Sequence, residues 1–272
     1  MKLTRRVAFS SGHRYWFSEL SPEENRAVFG RWASPYNHGH NYVLEVTVSG
    51  KIDPRNGMVV NIKAIDDILQ DRIVSRYDQK SLNDEVAEFS ERSTSCEVIA
   101  TEVRRIVSDE LPNHVALTNI RLYENPLLFV DLGETDTVQL TRVYEFSASH
   151  RLDVPALSEI ENIELFGKCN NMAGHGHNYI LEVTVSGNPD SRTGMIADLE
   201  AIDEVVEAEV VDRYDHKHLN VDIPEFAGLN PTTEVLTRMI WSRLNGKLPA
   251  KLDKVTVRET ARNIFEYSGE DE

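Results

Sequence analysis

The string HGHNYVLEVTVSG at 38–50 returns as HGHNYILEVTVSG at 175–187, from position 38 to position 175 and so at an offset of 137, with only Val43 and Ile180 differing. A near-verbatim return of this length means one module written twice, so the fold must be one that works in tandem. The same offset carries His13 to His150, Gly57 to Gly194, Tyr77 to Tyr214, Asp78 to Asp215 and Glu97 to Glu234. A two-residue contraction then brings Glu124 to Glu259 at an offset of 135. The boundary falls in the polar stretch GETDT at 133–137, giving modules at 1–132 and 138–269.

Within each copy, LTRRVAFSS or LTRVYEFSAS, and then YVLEVTVSG or YILEVTVSG, are rich in β-branched residues with partial alternation and predict two strands. Ile62, Ile65 and Leu69, repeated as Leu199, Ile202 and Val206, fall at helical spacing on one face. A second helix is expected to open with Thr94 and Glu97 spaced as a capping box. Its apolar stripe is Val98, Ile99, Val103, Ile106 and Val107, answered by Val235, Leu236, Met239, Ile240 and Leu244. NIRLYEN with LLFVDL, and KVTVRET with NIFEYSG, close each copy with two strands. The expected class is α+β, in the order ββααββ twice, with antiparallel sheets. Four-stranded sheets with open edges tend to pair with neighbours, so a homo-oligomer is expected.

The chain has 272 residues, of which 40% are apolar, enough for a proper core in each module. Twenty-nine basic against 45 acidic residues give a net charge of −16, a field that repels nucleic-acid phosphates and anionic lipid. No apolar run approaches the ~20 residues of a membrane helix, and MKLTRRVAFSS lacks the run of a signal peptide. Cys96 and Cys169 are too few for a disulfide framework. A soluble, cytoplasmic protein is expected.

Six of the nine histidines form two matching trios, His13 with His38 and His40, and His150 with His175 and His177. In a strand, residues i and i+2 face the same way, so an HGH can aim two imidazoles at one point. A third from the paired first strand completes a three-nitrogen site with an open fourth position, the pattern of a catalytic zinc. Imidazole ligands favour Zn2+ and admit iron, nickel or copper. An isolated H-x-H on a strand is usually decoration; its recurrence with the same third histidine favours metal.

The strings FSASH at 146–150, FGKCNNMAGHGHNY at 166–179, GMIADL at 194–199, YDHKHLN at 214–220, NPTTE at 230–234 and VRET at 257–260 resemble the 6-pyruvoyl-tetrahydropterin synthase family. The 6-carboxy-tetrahydropterin synthases of queuosine biosynthesis belong to the same superfamily. The resemblance spans nearly all of 138–269 and implies a tandem T-fold (tunnelling fold) whose sheets close into barrels on oligomerisation. It also implies zinc on His150, His175 and His177, with 7,8-dihydroneopterin triphosphate as substrate. Cys169 is then the proton-transfer thiol, Asp215 and His216 its relay, and Glu259 the pterin anchor, with Thr232 and Thr233 as further substrate contacts. The chemistry suits those residue types. A metal on the side-chain oxygens acidifies carbon-bound protons, a thiolate removes one, and a histidine oriented by a carboxylate relays it.

The first copy departs from this pattern, with Trp32 at the position of Cys169 and Gln79 at that of His216. His13, His38, His40, Asp78 and Glu124 remain, so the resemblance implies a metal site and a pterin anchor without a proton-transfer group. Cys96 aligns with Thr233 and is a small packing residue. In the family the thiol and its Asp-His pair come from neighbouring subunits, and an alternating ring would face Cys169 with Gln79. Second copies are therefore expected to associate with second copies, in a trimer of two-module chains or a multiple. Lys168, Arg151, Lys217 and Arg258 are candidates for the triphosphate, and His218 is expected on an exposed loop. The leading function is the pyruvoyl synthase reaction. The carboxy synthase reaction, marked by released acetaldehyde, and a non-catalytic pterin- or metal-binding role are the alternatives.

Overall fold

The computed structural model of the chain describes residues 1–90, 92–135 and 137–269. Asp136, within the expected boundary stretch, lies outside the described residues. The chain divides into two compact units. One comprises Met1–Thr141 with Ser186–Glu200, and the other Arg142–Val185 with Ala201–Glu272.

In the first unit, strand β1 (Lys2–His13) pairs antiparallel with β2 (His38–Gly50) in unbroken register from Lys2 opposite Ser49 to His13 opposite His38. The short β3 (Lys80–Ser81) joins β1 in parallel, and β4 (Val115–Asn125) joins β2 with a bulge at Thr47/Val48. β5 (Leu128–Leu132) folds back on β4, and the opening residues of β6 (Val138–His150) lie beside it. Alternation puts Tyr42, Leu44, Val46 and Val48 of β2 wholly inside. They share that core with Ile65, Leu69 and Ile73 and with Ile99, Val103 and Val107 of helix Cys96–Glu110. Removing each such side chain from water is worth roughly 1.5–3 kcal/mol.

In the second unit β6 neighbours β7 (His175–Gly187), followed by β9 (Lys251–Arg258) and β10 (Ile264–Tyr267), with β8 (Lys217–His218) parallel to β6. Helices Leu199–Val206 and Thr233–Leu244 bring Ile202, Val206, Leu236, Ile240 and Leu244 to its core. Among the described residues, no helix is long and apolar enough to cross a membrane.

The fold is α+β as expected, with three local departures. A further helix occupies each connection between the first two strands, Pro22–Phe29 and Glu159–Phe166, each with a Ser/Glu capping box, from Ser21 to Glu24 and from Ser158 to Glu161. Helix Cys96–Glu110 is capped by Ser95, not Thr94, because Thr94 turns its hydroxyl to Arg14 and Asn83 and Glu97 bonds elsewhere. Ile62, expected in the apolar stripe, is 45% exposed at the first position of its helix, whereas Leu199 is buried.

Both added helices hang on a buried asparagine. The Asn162 amide donates to the carbonyls of Val154, Leu157 and Ser158 and accepts the Val154 N–H; Asn25 makes the same bonds to Phe17, Leu20 and Ser21. Asn162→Ala strands these backbone groups and is expected to cost about 2–3 kcal/mol, read as a lower urea midpoint at unchanged m-value.

Candidate active and metal centre

The β1/β2 register fixes the first histidine trio. His13 sits directly opposite His38, and His40, two residues on, lies on the same face opposite Ser11. Ring centroids are 4.4 Å apart for His13 and His38, 5.1 Å for His13 and His40, and 5.0 Å for His38 and His40. The second trio repeats this at 4.6, 5.3 and 5.0 Å. In both trios one ring nitrogen from each histidine falls within 4.8 Å of the others.

A helix entrance orients the buried histidine of each trio. His13 Nδ1 donates to the Thr94 carbonyl at 2.8 Å and His150 Nδ1 to the Pro231 carbonyl at 2.7 Å, each carbonyl belonging to the residue before a helix cap. That bond fixes the tautomer and turns the Nε2 lone pair toward the trio. Nε2 of His13, His40, His150 and His177, and Nδ1 of His175, are buried with no hydrogen-bond partner. Buried nitrogens left so are costly unless something satisfies them, and a shared cation would. Burial, helped by His38, pulls the His13 imidazole down to about 3, and burial pulls His40 down to about 4. His38, His150 and His177 are lowered mainly by the same cause. All five are thus neutral imidazoles at neutral pH, a donor set that would fit zinc.

Glu259, at the end of β9, brings Oε1 to 3.9 Å from His150 Nε2 and 3.8 Å from His177 Nε2. The Thr233 hydroxyl donates to Oε1, and the Asn263 amide donates to Oε2 at 3.0 Å. Burial works to raise this carboxyl, but the two donors outweigh it and hold it below the usual range. Glu124 stands 3.6 Å from His40 Nε2 in the first unit. Thr232 serves as helix cap, accepting the Val235 N–H.

Asp215 and His216 are joined directly, Oδ2 to Nδ1 at 2.7 Å, while Asp215 Oδ1 accepts the Ser147 N–H at 2.7 Å. The Ser147 amide first, and His216 second, hold the Asp215 carboxyl below its ordinary value. His216 has a left-handed backbone, φ 57°, secured by its N–H donating to Ser147 O. Gln79 adopts φ 59° with the same bond to Ser10 O, and Asp78 accepts the Ser10 N–H. The first module has therefore kept the bend and the carboxylate and lost the imidazole.

Cys169 lies half-buried on the turn Gly167–Asn170 after helix Glu159–Phe166, and Trp32 holds the matching turn Gly30–Trp32. A hollow of about 820 Å³ is bounded by Ser147, His177, Asn178, His216, Lys217 and Glu259, with Cys169 not among its lining residues. Its first-unit counterpart, about 370 Å³, is bounded by His40 and Gln79 and does not reach Glu124. Of the expected triphosphate cations, Arg258 is paired with Glu182 and Arg151 with Asp153, leaving Lys217 on the hollow and Lys168 exposed. His218 is not an exposed loop residue: it is half-buried in β8, with Nδ1 inside and Nε2 against Gly174. Sequence reasoning passed over Asn263, which has no signal beyond standing four residues after Glu259.

The family model for 6-pyruvoyl tetrahydropterin synthase matches this chain twice, over residues 2–134 and 139–270. The chain belongs to the 6-pyruvoyl tetrahydropterin synthase family. It is an enzyme of that family, a carbon–oxygen lyase, with two T-fold modules. The 6-pyruvoyl tetrahydrobiopterin synthase of Drosophila melanogaster is 48% identical over 132 residues, covering 48% of this chain and 79% of the relative. The Homo sapiens enzyme of the same name is 46% identical over 139 residues, covering 51% and 96%. A 6-carboxy-5,6,7,8-tetrahydropterin synthase of Rickettsia conorii is 25% identical over 149 residues, covering 48% and 99%. The solved structure of Caenorhabditis elegans 6-pyruvoyl tetrahydropterin synthase is 40% identical, covers 49% of this chain and 96% of its own, and has a TM-score of 0.47.

Proposed function

We propose that the second module carries a zinc-dependent 6-pyruvoyl-tetrahydropterin synthase activity, taking 7,8-dihydroneopterin triphosphate to 6-pyruvoyl-tetrahydropterin with loss of triphosphate. One observation carries the reading: the thiol, the Asp-His pair, the anchoring carboxylate and the histidine trio coincide in 138–269 alone. The relatives named for the pyruvoyl product, at 41–48% identity, stand closer to this chain than the Rickettsia carboxy synthase at 25%.

Zinc held by His150, His175 and His177 would supply a Lewis acid that draws charge from the side-chain oxygens and acidifies the adjoining C–H bonds. Cys169, as thiolate, removes the carbon-bound proton. Asp215 accepts from His216 Nδ1, leaving His216 Nε2 to take and return protons at the hollow. Glu259 holds the pterin: a carboxylate has about four acceptor sites, so after Thr233 and Asn263 about two remain for the aminopyrimidine N–H donors. In the first module His13, His38 and His40 would hold a metal beside Glu124, with Trp32 and Gln79 standing where the second module has its thiol and imidazole. The assembly we expect is a trimer of two-module chains or a multiple of it.

Incubation with 7,8-dihydroneopterin triphosphate and mass analysis of the product tests the reading. Pyruvoyl product with released triphosphate supports it; carboxy product with acetaldehyde assigns the queuosine-type reaction instead, and no turnover leaves a binding protein. Glu259→Gln keeps shape and loses the charge-assisted acceptor. It should lower kcat/KM by about 10–100-fold, the worth of charged hydrogen bonds, with metal content unchanged by elemental analysis.

A further inference from the structure

We propose that residues 51–63 of one chain close the second-module site of another copy of this chain, head to tail. The template is inside the molecule. Segment Ser186–Glu200 is second-copy sequence, yet it belongs to the first unit and covers first-copy elements. The Ser95 hydroxyl donates to the Gly194 carbonyl at 2.7 Å, Glu97 accepts the Ile196 N–H at 3.0 Å, and Glu200 accepts the Arg31 N–H at 3.1 Å. Met195, 8% exposed, forms one apolar cluster with Tyr15 and Phe29, against which Phe17 and Trp32 pack. The approach is close: a Cβ on Gly194 would meet Val98 at 2.3 Å, and one on Gly30 would meet Glu200 at 2.7 Å.

Both halves of this interface exist a second time, uncovered. The covering half recurs as 51–63, with Met58 in the place of Met195 and 43% exposed. The receiving half recurs as Leu152, Phe166, Cys169, Thr232, Glu234 and Val235. Their backbones are already in shape, with φ +74° at Gly57 against +69° at Gly194, and +52° at Gly167 against +55° at Gly30. Yet a Cβ on Gly57 or Gly167 would meet nothing within 4 Å. Glu234 is exposed where Glu97 is buried, and Phe166 and Val235 are half-buried where Phe29 and Val98 are inside. One contact does not repeat, since Lys63 stands in the place of Glu200 and is tied to Asp67. Among the described residues neither half is covered within the chain, and the surface that matches each in shape and chemistry is the other half on a second copy.

Because Cys169 takes the place of Trp32, the arriving Met58 packs over the turn that carries the thiol. The first module thus has a task that needs neither cysteine nor histidine. This ordering reverses the second-on-second association expected from sequence, and with it the expectation that Asp215 and His216 of a neighbouring copy serve Cys169, since the arriving module carries Gln79 there.

The test uses M58C in the whole chain with a short-spacer bismaleimide, which joins two thiols without a redox step. Each chain then offers one introduced thiol and one Cys169, while Cys96 is buried. Covalent species beyond the dimer on a denaturing gel, lost in M58C/C169A, are the expected result. No chain-to-chain product, or dimers that persist in M58C/C169A, would overturn the proposal. M58E should also lower the solution mass by light scattering with an unchanged circular dichroism spectrum; an unchanged mass counts against it. No readout depends on turnover, so failure here leaves the proposed reaction untouched.

Discussion

Cys169→Ala is expected to lower turnover at the second module by about 10²–10⁴-fold, the usual worth of a positioned proton-transfer group, with metal content and fold intact. The loss should fall on kcat and kcat/KM together, because the thiol acts on the reacting carbon and adds little to ground-state binding. Trp32→Ala is the control. It removes a ring from the apolar cluster of the first unit, so it should cost stability while leaving kcat within about twofold. Stopped-turnover assays beside urea titrations separate the two outcomes, and the reverse pattern would overturn the assignment of roles.

His175→Ala and His38→Ala should part company on activity and agree on metal. Each removes one of three ring nitrogens that lie within 4.8 Å of one another, so each should cost one of two zinc equivalents per chain after dialysis. Losing a ligand should exceed the 10–100-fold cost of losing an outer partner, so the affected site should empty at micromolar zinc. Turnover should vanish in His175→Ala and survive in His38→Ala. Chelation of the wild-type chain should reproduce the first result, and restored zinc should reverse it. Equal losses of activity in the two variants would mean that the first centre contributes to chemistry.

Much of this architecture could be read from the residues because the duplication supplied its own control. Strand alternation in HGHNYVLEVTVSG, repeated almost verbatim, fixed both the pairing and the convergence of the imidazoles, and the register of His13 opposite His38 follows from it. The helices Pro22–Phe29 and Glu159–Phe166 were hidden because each is short and shows no long apolar stripe; their capping boxes were the only local signal. Ser95 displaced Thr94 as cap because Thr94 is drawn to Arg14 and its carbonyl to His13, contacts about 80 positions away in sequence that no local pattern contains. The same limit hid the placement of Ser186–Glu200, since its partners Ser95 and Glu97 lie about a hundred residues upstream. Cys169, Asp215 and His216 could be picked out by family likeness, but the 2.7 Å bond between the last two is a product of the fold.

The left-handed residue at Gln79 bears on repair. A non-glycine residue in that region costs roughly 1–2 kcal/mol, and here the cost persists with no ring to aim. It persists because the bend is tied to Ser10 next to the β1/β3 pairing, so it is masonry and not machinery. Restoring a titratable group to the silent half would therefore need no reshaping of the main chain, only a change of side chain at a position whose geometry is already cut to receive it.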